Sequence, residues 1–171
     1  MGGGCTLSEE RCERCWNSEC HGTAQEAPRT AKDALKVVLD DGAKMPTRAH
    51  PADAGLDLYS RECFTIMPGR SQKFDTGVHV AVPAGYVGMV KSKSGLNVNH
   101  GLTCEGVIDS GYTGSIVVNL YNHGRNPVMI EQGQKIAQLV ILPCLLPELA
   151  QVDRMEETER GDGGFGSTGK F

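Results

Sequence analysis

The amino-acid sequence predicts an all-β fold, a barrel or double-sheet roll with almost no helix. Two observations carry that expectation. Short segments rich in Val, Ile, Leu, Tyr and Thr follow one another at close intervals, and turn-forming stretches such as "MPGR", "VPAG", "DSGYTG" and "NHGRNP" separate them. A third observation bears on assembly: "GSIVVNLYN" and "AQLVILPCLLP" are almost continuously apolar, which suits strands covered on both faces. A small β domain does not easily cover both faces alone, so these runs point to burial between subunits.

Taken in order, residues 1–30 lack apolar periodicity, mix charges with small residues and run into "QEAPRTAKD". They read as a flexible, cysteine-rich extension. A β domain over residues 31–150 follows. "LKVVLDD" supplies its first strand; "LDLYS", "CFTIM", "KFDTGVHVAV", "GYVGMVKS", "LTCEGVID", "GSIVVNLYN", "PVMIEQ" and "KIAQLVILP" supply the others. Residues 151–171 form an arm ending in "GDGGFGSTGKF". From Gly164 to Lys170 it reads G-x-x-x-x-G-K, close to the phosphate loop of nucleotide hydrolases. Phe171 stands where that loop needs Ser or Thr for magnesium, so a Walker loop is excluded.

A length of 171 residues with 39% hydrophobic content fits one domain with a single sizeable core. The net charge of −4 and the lack of a Lys/Arg-rich face argue against a surface that holds nucleic acid by phosphate attraction, and no stable nucleic-acid binding is expected. A small anion met by a few placed cations is compatible with that balance. No apolar run approaches the ~18 residues that span a bilayer, and the N-terminus has no signal-peptide core. A soluble, intracellular protein of the cytoplasm or nucleus is therefore expected.

The seven cysteines are an odd number without a secretory signal, which does not suit a disulfide scaffold. Cys5, Cys12, Cys15 and Cys20 crowd beside His21 and admit zinc, although the spacing is not that of a zinc knuckle. "MGGGCT" also matches an acylation signal, with Cys5 as a second lipid site. Zinc, lipid, a partner or no role all stay open for this extension.

Several stretches look chemical. In "GVIDSGYTG", Asp109 at a strand end, Tyr112 and two flanking glycines place a carboxylate, an aromatic face and free backbone groups on one tight hairpin. "KSKSGLNVNHG" reads as a loop whose alternating lysines and serines suit phosphate, or as an ordinary solvated loop. In "PADAGLDLYS", Asp53 and Asp57 flank a glycine turn, where an acid either anchors the turn or touches a magnesium ion's water shell. Gln138 lies inside the apolar strand "QGQKIAQLV", where an amide needs partners.

Together, DAGLDLYS, KSKSGL, GVIDSGYTG, GQKIAQ and RGDGGFGSTG, in this order over about residues 35–171, resemble the five motifs of the trimeric dUTPase family. The resemblance implies a distorted β-barrel of jelly-roll type, a homotrimer with exchanged C-terminal arms, and Mg2+-assisted hydrolysis of dUTP to dUMP and pyrophosphate. It further implies that Asp109 activates the attacking water and Gln138 helps hold it, that Tyr112 packs on the deoxyribose and excludes a 2'-hydroxyl, and that Asp57 meets Mg2+ through water. Lys93, Ser94 and Gly95 fall in the phosphate-binding motif. Main chain near Cys104 to Gly106, with Val107 and Ile108 beside it, would read uracil. On the arm, Arg160, Ser167 and Thr168 would bind phosphates, with Phe165 stacking on the base and Gly166 allowing close approach.

Two residues depart from the pattern. Lys93 replaces an arginine and offers a point charge in place of a bidentate fork. Ser92 stands where many members carry proline. The related dCTP deaminases need a glutamate where this chain has Asn119, which cannot do acid–base work. A non-catalytic dUTP sensor is the other alternative, and the presence of Asp57, Asp109, Gln138 and Phe165 argues against it.

Overall fold

The computed structural model describes residues 34–164. The N-terminal cysteine cluster and the arm residues from Phe165 onward lie outside them. The chain forms β1 (Lys36–Leu39), β2 (Leu56–Tyr59), β3 (Phe64–Ile66), β4 (Ser71–Asp75), β5 (Val78–Ala81), β6 (Tyr86–Ser92), α1 (Ser94–His100), β7 (Leu102–Thr103), β8 (Glu105–Ile108), β9 (Val117–Asn122), β10 (Val128–Ile130) and β11 (Lys135–Pro143). Each strand falls within a segment that the sequence marks, except that β4 begins two residues before its segment, at Ser71. "KFDTGVHVAV" is split at Thr76–Gly77 into β4 and β5, and Cys104 separates β7 from β8.

All strand pairs are antiparallel. They build four sheets, ordered β1-β5, β10-β3, β2-β11-β6-β8 and β4-β9-β7. The sheets do not close on one another, so the expected barrel is open. Short strands interrupted by turns, and a bulge at the start of β11, break the ladders before closure. One core joins the sheets. Leu58, Ile66, Phe74, Val78, Val90, Leu102, Leu120, Ile130 and Leu139 come from nine different strands and pack in a single buried cluster.

β9 alternates inward Val118, Leu120 and Asn122 with outward Val117, Asn119 and Tyr121. The single chain therefore covers only one face of this apolar run. Val117 and Tyr121 are half exposed, as is Leu142, while Leu145, Leu146 and Leu149 beyond β11 are almost fully exposed.

The stretch expected as a loop, "SGLNVNH", forms helix α1. It was hidden because it carries Gly95 and β-branched Val98 and buries only Leu96, so no apolar stripe marks it. Gly101 ends the helix in the left-handed conformation at φ 69°, its N–H returning to Asn97 O at 2.8 Å. A Cβ there would stand 2.8 Å from Gly124 N. Gly101→Ala is therefore expected to lower stability by about 1–2 kcal/mol through φ strain and this overlap, read as a fall in urea midpoint at unchanged slope.

Candidate active site

The four-stranded sheet sets the site. Asp57 on β2 faces Gln138 on β11, which faces Lys91 on β6. The β11 bulge decides this register: Lys135 pairs with Tyr59, but the shift before Ala137 brings Gln138 opposite Asp57, where an unbroken ladder would put Ala137. Gly55 completes the arrangement. A Cβ at this position would lie 3.0 Å from the Gln138 amide carbon and nitrogen, so glycine leaves room for that side chain.

Asp57 is 2% exposed, and a carboxylate so enclosed needs partners. Its Oδ1 accepts from Lys93 Nζ at 3.0 Å and from Gln138 Nε2 at 3.2 Å, and its Oδ2 accepts from Lys135 Nζ at 2.6 Å. Burial pushes the Asp57 carboxyl upward, but hydrogen bonds from Lys135 and Lys93 outweigh it and hold the group below its ordinary value. The same contact raises Lys135. The motif "GQKIAQ" displays Lys135, but only the bulge reveals that its ammonium turns to Asp57, and sequence reasoning missed it.

Both lysines edge an open cleft of ≈ 390 Å3 between α1 and the start of β11, lined also by Gly95, Leu96, Asn99 and Gln134. Ser94 opens α1 beside it and is exposed. Two ammonium groups sharing one carboxylate leave an excess positive charge facing this cleft, which suits a polyanion. Asp53 instead serves its own turn, where its carboxylate accepts from His50 N at 2.9 Å.

A second set of groups lies elsewhere. β8 is an edge strand, and every second residue turns its N–H and C=O away from β6. Among the described residues no strand pairs with that edge. Val107 is exposed and Ile108 is buried, while a Cβ on Gly106 would meet only Val90, at 3.4 Å. At Cys104 the N–H donates to Ser92 Oγ at 2.9 Å and the C=O accepts from the same hydroxyl at 3.0 Å, which leaves that carbonyl one further acceptor position. Beyond β8 the chain turns at Asp109, where Tyr112 N donates to Asp109 O at 3.1 Å. Asp109 and Tyr112 are both exposed. The Tyr112 hydroxyl donates to Ser115 O, folding the ring over Gly114.

The chain does not bring these two sets together. Glu105 lies in the row of Asp57, Gln138 and Lys91, and Asp109 is four residues further along. At about 3.3 Å per residue along a strand and about 4.8 Å between strands, Asp109 stands roughly 20 Å from Asp57. Arg160 joins neither set: its Nε donates to Gly163 O at 3.1 Å within a local turn. Phe165, Gly166, Ser167 and Thr168 fall outside the described residues.

Comparisons with known proteins show the family to which this fold belongs. The family model described as dUTPase matches residues 41–169. A deoxyuridine 5'-triphosphate nucleotidohydrolase of Gloeobacter violaceus is 45% identical over 130 residues, covering 73% of this chain and 88% of the relative. Among solved structures, the Staphylococcus bacteriophage 80alpha dUTPase with dUPNHPP superposes with a TM-score of 0.77 at 35% identity, covering 81% of this chain and 99% of that one. A mutant dUTPase of phage phi11 of S. aureus, described for its coordination of a structural Mg(II) ion, has a TM-score of 0.68 at 33% identity, covering 72% and 99%. The chain belongs to the dUTPase family.

Proposed function

We propose that this chain hydrolyses dUTP to dUMP and pyrophosphate with Mg2+ on the triphosphate, and that the working enzyme is a homotrimer in which neighbouring chains complete each site. Such an activity keeps uracil out of DNA and supplies dUMP for dTMP synthesis. One observation carries the reading: a cationic cleft around Asp57, Lys93, Lys135 and Gln138 is separated by roughly 20 Å from a carboxylate hairpin and a free strand edge. Each set is half of a nucleotide hydrolase, and a second copy of the chain can bring the missing half. The uncovered apolar surface on β9 and beyond β11 supports such an assembly.

Within that site the residues divide the work. Lys93, Lys135, Ser94 and Gly95 receive the phosphates. Outward main-chain groups of β8, from Gly106 through Val107 to Ile108, read the uracil edge, and mismatched donors reject cytosine. Tyr112, with its hydroxyl fixed on Ser115 O, offers its ring to the deoxyribose. The Asp109 carboxylate orients a water for in-line attack on the α-phosphorus and takes its proton, with the Gln138 amide as a further anchor. The arm adds Arg160, Ser167 and Thr168 at the phosphates, Phe165 over the base, and Gly166 where backbone nears phosphate, so closure excludes water.

The residues fit magnesium held through its water shell. Three donors occupy Asp57, two on Oδ1 and one on Oδ2, leaving one acceptor position for a metal-bound water. Among the described residues no cluster of acidic, His or Cys side chains forms a protein cage, which suits an ion held largely by phosphates and water. When bound, Mg2+ neutralises phosphate charge as it builds up during the reaction.

Pyrophosphate release from dUTP, dCTP, dTTP and UTP, with Mg2+ and with chelator, tests the reading. Mg2+-dependent turnover of dUTP alone is expected, and turnover of dCTP or UTP at a similar rate would overturn it. Asp109→Asn should bind a non-hydrolysable dUTP analogue within a few-fold of the parent while kcat falls about 10^2–10^4-fold. Co-refolding Asp57→Asn and Asp109→Asn chains should restore turnover that neither has alone, because a site built from two chains recovers both carboxylates. A mixture as inactive as its parts would place the whole site in one chain.

A further inference from the structure

The hairpin bearing Asp109 and Tyr112 is fixed at its legs by backbone and at its tip by one ring. On one leg Ile108 pairs with Gly88. On the other, Ile116 donates to Val78 O at 2.9 Å and accepts from Thr76 N at 3.1 Å, and the Ser115 hydroxyl donates to Asp75. At the tip, His79 on β5 places Nδ1 2.8 Å from Thr113 O, the residue next to Tyr112. Its Nε2 lies 3.1 Å from Asp40 Oδ1, just past β1.

Both partners are acceptors only, one a carbonyl and the other a carboxylate. Neutral imidazole carries one N–H and serves one of them, whereas imidazolium carries two and serves both. The charged groups facing this ring are Asp40, Asp75 at the end of β4, and Arg61, whose guanidinium lies 3.7 Å from Asp40 Oδ2 and donates to Asp41 O at 2.8 Å. Two carboxylates thus oppose one guanidinium, which is itself engaged with Asp40.

We propose that His79 is a positioning residue of the catalytic hairpin: doubly protonated, it clamps Thr113 to Asp40 and so sets where Asp109 and Tyr112 stand, and it releases the tip when it loses a proton. This rests on reading that hairpin as catalytic. The Thr113 carbonyl raises His79 above its ordinary value of 6.5, Asp40 and Asp75 add to it, and partial burial opposes. A group raised by docking stabilises the docked tip fully below about 6.5, and that contribution is lost as pH rises through the raised value. The clamp therefore holds in mild acid and opens on the alkaline side.

The test is amide hydrogen exchange of peptides covering residues 109–115 in the full-length protein without nucleotide, at about pH 6 and about pH 8.5, corrected for intrinsic exchange, beside dUTP turnover across the same range. In the parent, protection should fall about 3–10-fold between the two pH values, with kcat/KM falling in parallel. His79→Gln, whose single amide nitrogen cannot reach both oxygens, should show the low protection at both and a flat alkaline limb. Equal protection in the parent at both pH values, or parent-like protection in His79→Gln, would overturn the clamp. Protection that changes while turnover does not would instead overturn the placing of the reaction on this hairpin, leaving the tether itself standing.

Discussion

A carboxylate that a strand turns into its own sheet must be met by donors, and the phosphate-facing half of this molecule is organised around that requirement at Asp57. Removing an acid from water without partners costs several kcal/mol, so Lys93 from the turn before α1 and Lys135 and Gln138 from β11 converge on it. Each has a local device behind it. The bulge in β11 turns Lys135 and Gln138 to the same carboxylate, Gly55 vacates the volume the amide occupies, and the turn from β6 into α1 delivers Lys93. The cleft inherits its positive character from this pairing, since two ammonium groups answer one acid. A triphosphate entering there competes for cations already ordered, which lowers the entropic cost of binding them.

The limited size of the sheet explains why one chain looks unfinished. Its interior is complete, with the ten strands β2 to β11 contributing to one cluster, while the Asp57 cleft and the Asp109 hairpin lie apart on the sheet and the apolar surface continues past the core. Asp57 on β2 and Asp109 just past β8 lie at opposite edges of one four-stranded sheet, and the sheet itself holds them apart. In the proposed homotrimer, repetition of the chain around an axis would bring unlike halves together at each interface, and the surface left open by β9 and the segment after β11 is the kind that such contacts cover.

Strands were legible in the sequence because alternation and glycine turns are local signals, and every strand overlaps a segment so marked, β4 alone starting two residues early. Helix α1 was not, since Gly95, Val98 and the asparagines argue against a helix that capping by Gly101 and burial of Leu96 nevertheless hold. Asp57, Lys93 and Gln138 could be picked out as chemical, but their meeting depends on a one-residue register shift that no residue type announces. Lys135 was missed for that reason. The Ser92–Cys104 contact was not legible either, because a serine that crosses between strands to bind both main-chain groups of one residue leaves no local signal.

That serine links the two halves of the site. Ser92 precedes Lys93, whose ammonium faces the cleft, and its hydroxyl binds both main-chain groups of Cys104, the residue that enters the edge strand β8. A proline at position 92 has no hydroxyl to give, so the contact that ties the start of β8 to the cleft in this chain, alongside the β6–β8 ladder, is absent from a proline-bearing member. If the cleft and the β8 edge of one chain serve different sites of a trimer, the Ser92–Cys104 lock is a rigid connection between neighbouring sites. On that reading, a backbone shift of Lys93 toward a phosphate would strain the strand proposed to select uracil in the neighbouring site. Holding that strand still favours strict base selection, because a donor–acceptor pattern discriminates only as sharply as its position is fixed.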